Sequence, residues 1–410
     1  MTSTPPPVDE APVVSASQPI MDLERDYLLQ NYARYPLVLA RGKGHYVYDA
    51  EGRRYLDFIT GIGVNALGHA HPRIVKVIRD QASQMIHSSN LYYHPYQGPL
   101  AKRLVEMSGL TRVFFSNTGT ESVEGALKMA KAHGHAIDPA KCEIISLENS
   151  FHGRSVGALS VTGQPKYRQD FEPLMPGVRF VPANDIAALE AAFSERTAGM
   201  IVELIQGEGG IHPLTHEYAA KARELADRYN ALLIADETQC GVGRPGTYFA
   251  YQRSTPVILP DVVVAAKPVA CGIPLGFIIA NDRAAASIKS GMHGTTFGGG
   301  PLACRVALEF LDILDGLMPQ IQKTGGYFHV ELNELARKHS FVKEVRGFGL
   351  MLGMELTIPG KQLVLDAMKA GLLINCTHDT VLRFLPPYTV TEKEIDQALK
   401  VLAKLFAKVK

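Results

Sequence analysis

An aspartate and a lysine each close an apolar run rich in β-branched residues: Asp236 ends LLIAD in LLIADETQCG, and Lys267 follows VVVAA in PDVVVAAKPVACG. A lysine stripped of water loses its proton readily and can condense with an aldehyde, while a buried aspartate needs a lasting cation beside it. Both demands are met by pyridoxal 5'-phosphate. Lys267 would take its aldehyde and Asp236 its protonated pyridine nitrogen, keeping the ring ready to accept the electrons released when a substrate loses its α-proton. A structural ion pair would leave the same trace in the sequence, so the neighbouring motifs must decide.

FFSNTGTES runs from an apolar strand through Thr118, Gly119 and Thr120 into a helix. Free amides, hydroxyls and the positive end of a helix dipole make an anion site, although an ordinary N-cap has the same appearance. SFHGRS sets Phe151, able to stack on a flat ring, near Arg154, whose planar fork suits a carboxylate. In VELIQGEGG, Glu203 and Glu208 flank a loop whose glycines permit close approach; Gln239 follows Asp236 and could hydrogen-bond a phenolate. Arg383, in RFLPP, is a second carboxylate candidate, with a solvated salt bridge as its alternative use. HGTTFGGGPLAC places Thr295 and Thr296 before a glycine cluster and a helix start, again suiting phosphate.

The elements that must position these residues are legible in outline. Between about residues 70 and 290, short apolar runs alternate with helical-period segments, which predicts an α/β fold with a mostly parallel sheet. The runs 201 to 205, 232 to 235 and 262 to 266 lack alternation, as strands covered on both faces do. Glu203, Asp236 and Lys267 lie at or past their carboxyl ends, where open sheets bind ligands. Beyond residue 300 the expectation is helices at 301 to 316 and 320 to 339, strands near 341 to 357 and 381 to 385, and a final helix from 391. HYVYDAEGRRYLDFIT, at 45 to 60, reads as a hairpin turning at Glu51 and Gly52 and joining a smaller sheet. The division that follows is a disordered tail at 1–20, an N-terminal segment at 21–70 joining the small domain, a large cofactor-binding domain at 71–300, and a small α+β domain at 301–410.

With 410 residues, 46% of them hydrophobic, and a net charge of +1, the chain can bury two cores and gives no electrostatic reason to bind nucleic acid or a membrane surface. Five scattered cysteines without metal-ligand spacing suggest no metal site and a reducing cytoplasm. No apolar stretch reaches the roughly 18 residues of a membrane span.

In order and spacing, GIGVNALGHAHP, SNLYYHPYQ, FFSNTGTESVEGALKMAK, FHGR, ELIQGEGGI, ADETQCGVGRPG, PDVVVAAK, HGTTFGGGPLAC and RFLPP resemble the class III aminotransferases, from about residue 30 to the end. The resemblance implies a fold type I pyridoxal-phosphate-dependent transferase acting as a homodimer with shared active sites. It implies that Lys267 holds the cofactor and moves protons, Asp236 pairs with the pyridinium, and Gln239 meets the phenolic oxygen. Phe151 would stack on the ring, Gly119 and Thr120 would cradle the phosphate, and Thr296 would reach the phosphate of the neighbouring subunit. Arg154 and Arg383 would bind substrate carboxylates, Thr295 would lie near the substrate, and Glu208 would mask Arg383 while an ω-amine is bound. The pattern is most like the branch acting on N2-acetylornithine with 2-oxoglutarate. Other ω-amine donors (4-aminobutyrate, free ornithine, succinyl-diaminopimelate) and a non-catalytic cofactor-binding protein are the alternatives. Two departures from the pattern are Pro268, expected to bias Lys267 toward extended backbone, and Gly300 in place of an asparagine.

Overall fold

The computed structural model describes residues 15–409. Its large sheet has seven strands: β1 (Arg112–Ser116), β2 (Glu143–Leu147), β3 (Val178–Val181), β4 (Thr197–Val202), β5 (Leu232–Asp236), β6 (Val262–Ala265) and β7 (Gly276–Ala280). They lie in the order β1-β7-β6-β5-β4-β2-β3, with β7 antiparallel to both its neighbours. The pairings β3-β2-β4-β5-β6 are all parallel.

The unbroken apolar character of β4 to β6 has a direct cause, since every residue in them is buried. Ile201, Ile234 and Val264 point to the face covered by helix α1 (Gly119–Ile137), while Met200, Val202 and Leu233 point to that covered by α2 (His216–Arg228). Each such side chain contributes roughly 1.5–3 kcal/mol by leaving water. Because β2, β4, β5 and β6 run the same way, the loops leaving their carboxyl ends gather on one rim.

The run 201 to 205 is not one strand. β4 stops at Val202, and Ile205–Gln206 pairs instead with His212–Pro213. Between them, the buried Glu203 turns its carboxylate to accept the Phe151 N–H at 2.8 Å and the Gly207 N–H at 3.1 Å, which a continuous strand would not allow.

At the N-terminus, residues 1–14 of the expected tail lie outside the described residues, and Ser17–Tyr27 is a helix that takes in the last four of the twenty. The hairpin pairs Tyr46–Asp49 with Arg54–Asp57 around Gly52, whose φ of +85° suits glycine. Leu372–Leu373 then pairs in parallel with Arg54–Asp57, so the segment joins a smaller sheet containing C-terminal chain.

The two helices expected after residue 300 are one, α3 (Pro301–Ala336). Pro319 lies inside it and removes one backbone hydrogen bond, a defect of about 3 kcal/mol. Burial holds the helix together across that point: Phe310, Leu311 and Leu314 before it and Ile321, Phe328 and Leu332 after it are inaccessible to solvent. A four-stranded antiparallel sheet follows, in the order Val342–Phe348, Met351–Leu356, Val381–Phe384, Asn375–Thr377, and the chain ends in α4 (Glu392–Phe406). No helix among the described residues is long and apolar enough to cross a membrane.

Candidate active site

Above the carboxyl ends of β5 and β6 lies a cavity of about 450 Å³. Lys267 lines it, together with Asp236, Gln239, Phe151, Arg154, Gly119 and Thr120. The lysine sits in a 3-10 turn, Lys267–Ala270, immediately after β6, with a φ of +41°. The extended geometry expected from Pro268 is therefore not what forms. The chain has to turn within two residues of β6 to bring Lys267 to the cavity, and Pro268 fits the second position of such a turn, where no N–H is needed. Burial lowers the Lys267 pKa, the nearby Arg383 adds to this, and Glu208 and Asp236 oppose it. The amine is thus pushed toward the neutral, nucleophilic form.

Asp236 ends β5 and is almost fully buried. His152 Nδ1 lies 2.8 Å from its Oδ2, and Thr238 donates its N–H to Oδ1 at 3.0 Å. Below it, burial raises Glu203 to about 7, with the Asp236 charge pushing the same way and His152 against it. Both carboxyls line the cavity, and burial disfavours the charged form of Glu203 beside Asp236.

At the start of α1, Thr118 is indeed an N-cap, accepting the Glu121 N–H at 3.2 Å, so the ordinary role is real. The turn does more than cap. Thr120 Oγ1 accepts the N–H groups of Arg154 and Ser155 at 3.3 and 3.4 Å, tying the α1 N-terminus to the SFHGRS loop. A Cβ on Gly119 would come within 2.4 Å of Thr238, and one on Gly153, at a φ of +135°, within 2.1 Å of Thr120 Oγ1. Arg154 lies over the Tyr167 ring at 4.0 Å and over that of Phe151 at 5.6 Å, and the residue is exposed.

Arg383, 1% exposed, gives one nitrogen to both Glu208 Oε1 at 2.6 Å and Gln239 Oε1 at 3.0 Å. Its Nε donates to Asn375 at 3.2 Å. Burial disfavours the Glu208 carboxylate, yet Arg383 outweighs it and the pKa falls below the ordinary glutamate value. This is a paired charge inside the protein rather than a solvated surface bridge. Glycine is required where the loop approaches: a Cβ on Gly207 would lie 2.3 Å from Gln239 Oε1.

Thr295 and Thr296 do not line the cavity. Thr295 Oγ1 accepts from Asn117 Nδ2, a cavity residue, at 3.0 Å, and Thr296 is exposed on the surface. His152 and Thr238 line the cavity and Tyr167 packs against Phe151 and Arg154, although their sequence context marks none of them; the clue for His152 is its place between Phe151 and Arg154.

The residues fit pyridoxal 5'-phosphate. A lysine for the aldehyde, a carboxylate for the pyridinium and an amide-rich turn for the phosphate line one cavity, where the buried Thr238 Oγ1 has no hydrogen-bond partner among the described residues. No cluster of three metal-ligating side chains occurs among these residues.

Residues 27–406 match the model of the family "Aminotransferase class-III". The chain is 46% identical to the acetylornithine aminotransferase of Methanocaldococcus jannaschii over 393 residues, covering 95% of this chain and 98% of that one. It is 46% identical to that of Aquifex aeolicus over 380 residues, covering 92% and 99%. Among solved structures, the ornithine aminotransferase of Toxoplasma gondii superposes with a TM-score of 0.91 at 32% identity, covering 96% of each chain. The acetylornithine aminotransferase of Elizabethkingia anophelis gives 0.85 at 31%, covering 96% of this chain and all of the other. A cavity built around Lys267 and Asp236 at the rim of a mostly parallel sheet, in a chain matched over nearly its whole length, places this protein in the class III aminotransferase family, whose cofactor is pyridoxal phosphate.

Proposed function

We propose that this enzyme transfers the amino group of N2-acetylornithine to 2-oxoglutarate, giving N-acetylglutamate 5-semialdehyde and glutamate. The observation that carries the reading is the Glu208–Arg383 pair at 2.6 Å beside Lys267. One pocket must accept an uncharged ω-carbon in one half-reaction and the α-carboxylate of glutamate in the other, and an acid that masks an arginine reversibly allows both. Relatives that carry the acetylornithine aminotransferase name at 42–46% identity support the choice of donor.

Bound pyridoxal phosphate supplies a carbonyl for the amine and a sink for the electrons left by proton loss. Lys267 would hold the cofactor through its amine, and that amine, once free, would take up and return the proton at the substrate carbon, acting as base and then acid. Asp236, steadied by His152, keeps the pyridine nitrogen protonated. Gln239, whose Oε1 accepts from Arg383 and whose Nε2 donates to Glu208 Oε1 at 3.4 Å, would keep an Nε2 hydrogen for the phenolic oxygen. Gly119 and Thr120 would hold the phosphate, Phe151 would stack on the ring, and Arg154 would bind the carboxylate distal to the reacting amine, with Thr295 near the substrate.

The working unit is a homodimer in which Thr296 reaches the partner's phosphate. In support, Leu91, Tyr92, Tyr93 and Phe297 are 84, 72, 104 and 66% exposed, an apolar surface that a lone chain would leave in water. Five free cysteines agree with a cytoplasmic setting.

Single-turnover absorbance tests the reading: the yellow holoenzyme is mixed separately with N2-acetylornithine, free ornithine and 4-aminobutyrate. Fastest loss of the yellow band with N2-acetylornithine is expected. Preference for free ornithine, the donor named for the Toxoplasma gondii neighbour, would keep the chemistry and change the substrate. No change with any amine, glutamate included, would exclude transamination.

A further inference from the structure

The Glu208 switch is only as good as the placement of its loop, and that placement comes from the small sheet. Across that sheet Arg346 pairs with Gly353, Gly353 with Arg383, and Arg383 with Asn375. Directly paired residues project to the same face, so Arg346 and Arg383 rise side by side with a gap at Gly353 between them. The loop carrying Glu208 lies over that gap: a Cβ on Gly353 would meet Ile211 Cβ at 2.9 Å.

Arg346 spends most of its donors on this loop. Its Nε and Nη2 donate to the Gly210 carbonyl at 2.9 and 2.6 Å, Nε also reaches the Ile211 carbonyl at 3.2 Å, and Nη2 lies 3.0 Å from His212 Nε2. The remaining nitrogen is held by Glu344 at 2.5 Å and by Glu355, which fixes the fork in plane. Gly210 has a φ of +107°, and a Cβ there would stand 3.2 Å from Nη2, so the contact requires glycine. The loop's other side is fastened as well, by Glu203 accepting the Gly207 N–H and by Thr377 Oγ1 donating to the Glu208 carbonyl at 2.5 Å.

We propose that Arg346 is a positioning residue for substrate switching: it clamps the Gly210–Ile211 backbone so that the Glu208 side chain alone moves, closing on Arg383 for the ω-amine and opening for glutamate. The inference rests on the functional reading above and deepens it. A loop held at Gly207, Glu208, Gly210 and Ile211 returns the carboxylate to the same place each cycle, and a loosened loop reduces the fraction of enzyme with Arg383 masked.

The test is a double-mutant cycle on the holoenzyme. Each half-reaction is followed separately, with the best ω-amine donor and with glutamate, and glutarate serves as an unreactive dicarboxylate whose binding requires an unmasked Arg383. Arg346→Met is expected to slow the amine half-reaction about 10-fold, leave that of glutamate within about twofold, and tighten glutarate binding by about 5-fold. Little further change is expected when it is combined with Glu208→Gln, because both act through one contact. Gly353→Ala, which lifts Ile211, should reproduce the pattern, and Arg346→Lys, which keeps the charge without the fork, should fall between. Equal slowing of both half-reactions, weaker or unchanged glutarate binding, or full additivity with Glu208→Gln overturns the clamp. If Arg346→Met does not fold, Arg346→Lys and Gly353→Ala make the same comparison. A wild-type enzyme that accepts no ω-amine refutes the functional reading instead, and glutarate binding then still decides on the clamp.

Discussion

His152 Nδ1 lies 2.8 Å from Asp236 Oδ2; the histidine side chain is fully buried and the aspartate's is 4% exposed, at the cavity. The contact orients the carboxylate whose other oxygen is fixed by the Thr238 N–H. His152→Phe removes the imidazole partner and leaves a buried acceptor unmet, a loss of about 1 to 3 kcal/mol, so kcat/KM should fall roughly 10- to 100-fold. The absorbance of bound cofactor should also change its pH dependence, since the role proposed for Asp236 is to keep the pyridine nitrogen protonated. Wild-type kinetics with an unaltered spectrum would mean that the histidine only fills space.

Lys267→Ala removes the side chain proposed as both covalent anchor and proton carrier. Cofactor should still bind weakly through the Gly119 and Thr120 cradle, without the yellow band of the wild type, and turnover should drop by at least about 10⁴. Normal turnover in this variant, measured by glutamate formation, would end the assignment of the active site.

Arg383→Ala should damage the glutamate half-reaction more than the ω-amine half-reaction, because in the proposed switch only the first needs the bare guanidinium. A buried, hydrogen-bonded charge partner is worth about 2 to 5 kcal/mol, so kcat/KM for glutamate should fall by at least roughly 30-fold. Equal losses in the two half-reactions would count against charge masking by Glu208.

Gly153 is held at a φ of +135° with Thr120 Oγ1 where a Cβ would go. Gly153→Ala adds both backbone strain of about 1 to 3 kcal/mol and a steric push on the phosphate cradle. Retention of cofactor on dialysis should weaken by about an order of magnitude or more. Undiminished retention would show that the loop absorbs the methyl group and that Thr120 is not tied to phosphate binding.

What the sequence discloses here follows from what is local. Strands buried on both faces announce themselves by apolar runs without alternation, and Asp236 and Lys267 stand out because ionisable residues close those runs. Glu203 stands out in the same way, but the kink that ends β4 at Val202 does not, since it depends on amides contributed by Phe151 and Gly207. The continuity of α3 through Pro319 likewise depends on core packing that no helix-breaking rule contains. Arg346 is the extreme case: in sequence it is an arginine between valine and glycine, and only strand register puts it beside Arg383.

Glu237 offers a pH test away from the cavity. It is fully buried, accepts the Ala250 and Tyr251 N–H groups at 2.9 and 3.1 Å, and burial raises its pKa from the ordinary 4.5 to about 7. Between those values the folded chain keeps a proton that the unfolded chain releases, so stability falls as pH rises, by about 1.4 kcal/mol per unit and about 3 kcal/mol across the window. Above about 7 both states are ionised and the loss is complete. Glu208 works the other way: its lowered pKa gives stability that is present above the ordinary glutamate value and lost on acidification. Glu237→Gln cannot ionise and should therefore show a smaller decline in Tm between pH 5 and 7 than the wild type. Parallel Tm profiles for the two proteins would mean that Glu237 ionises in the folded enzyme as readily as it does in water.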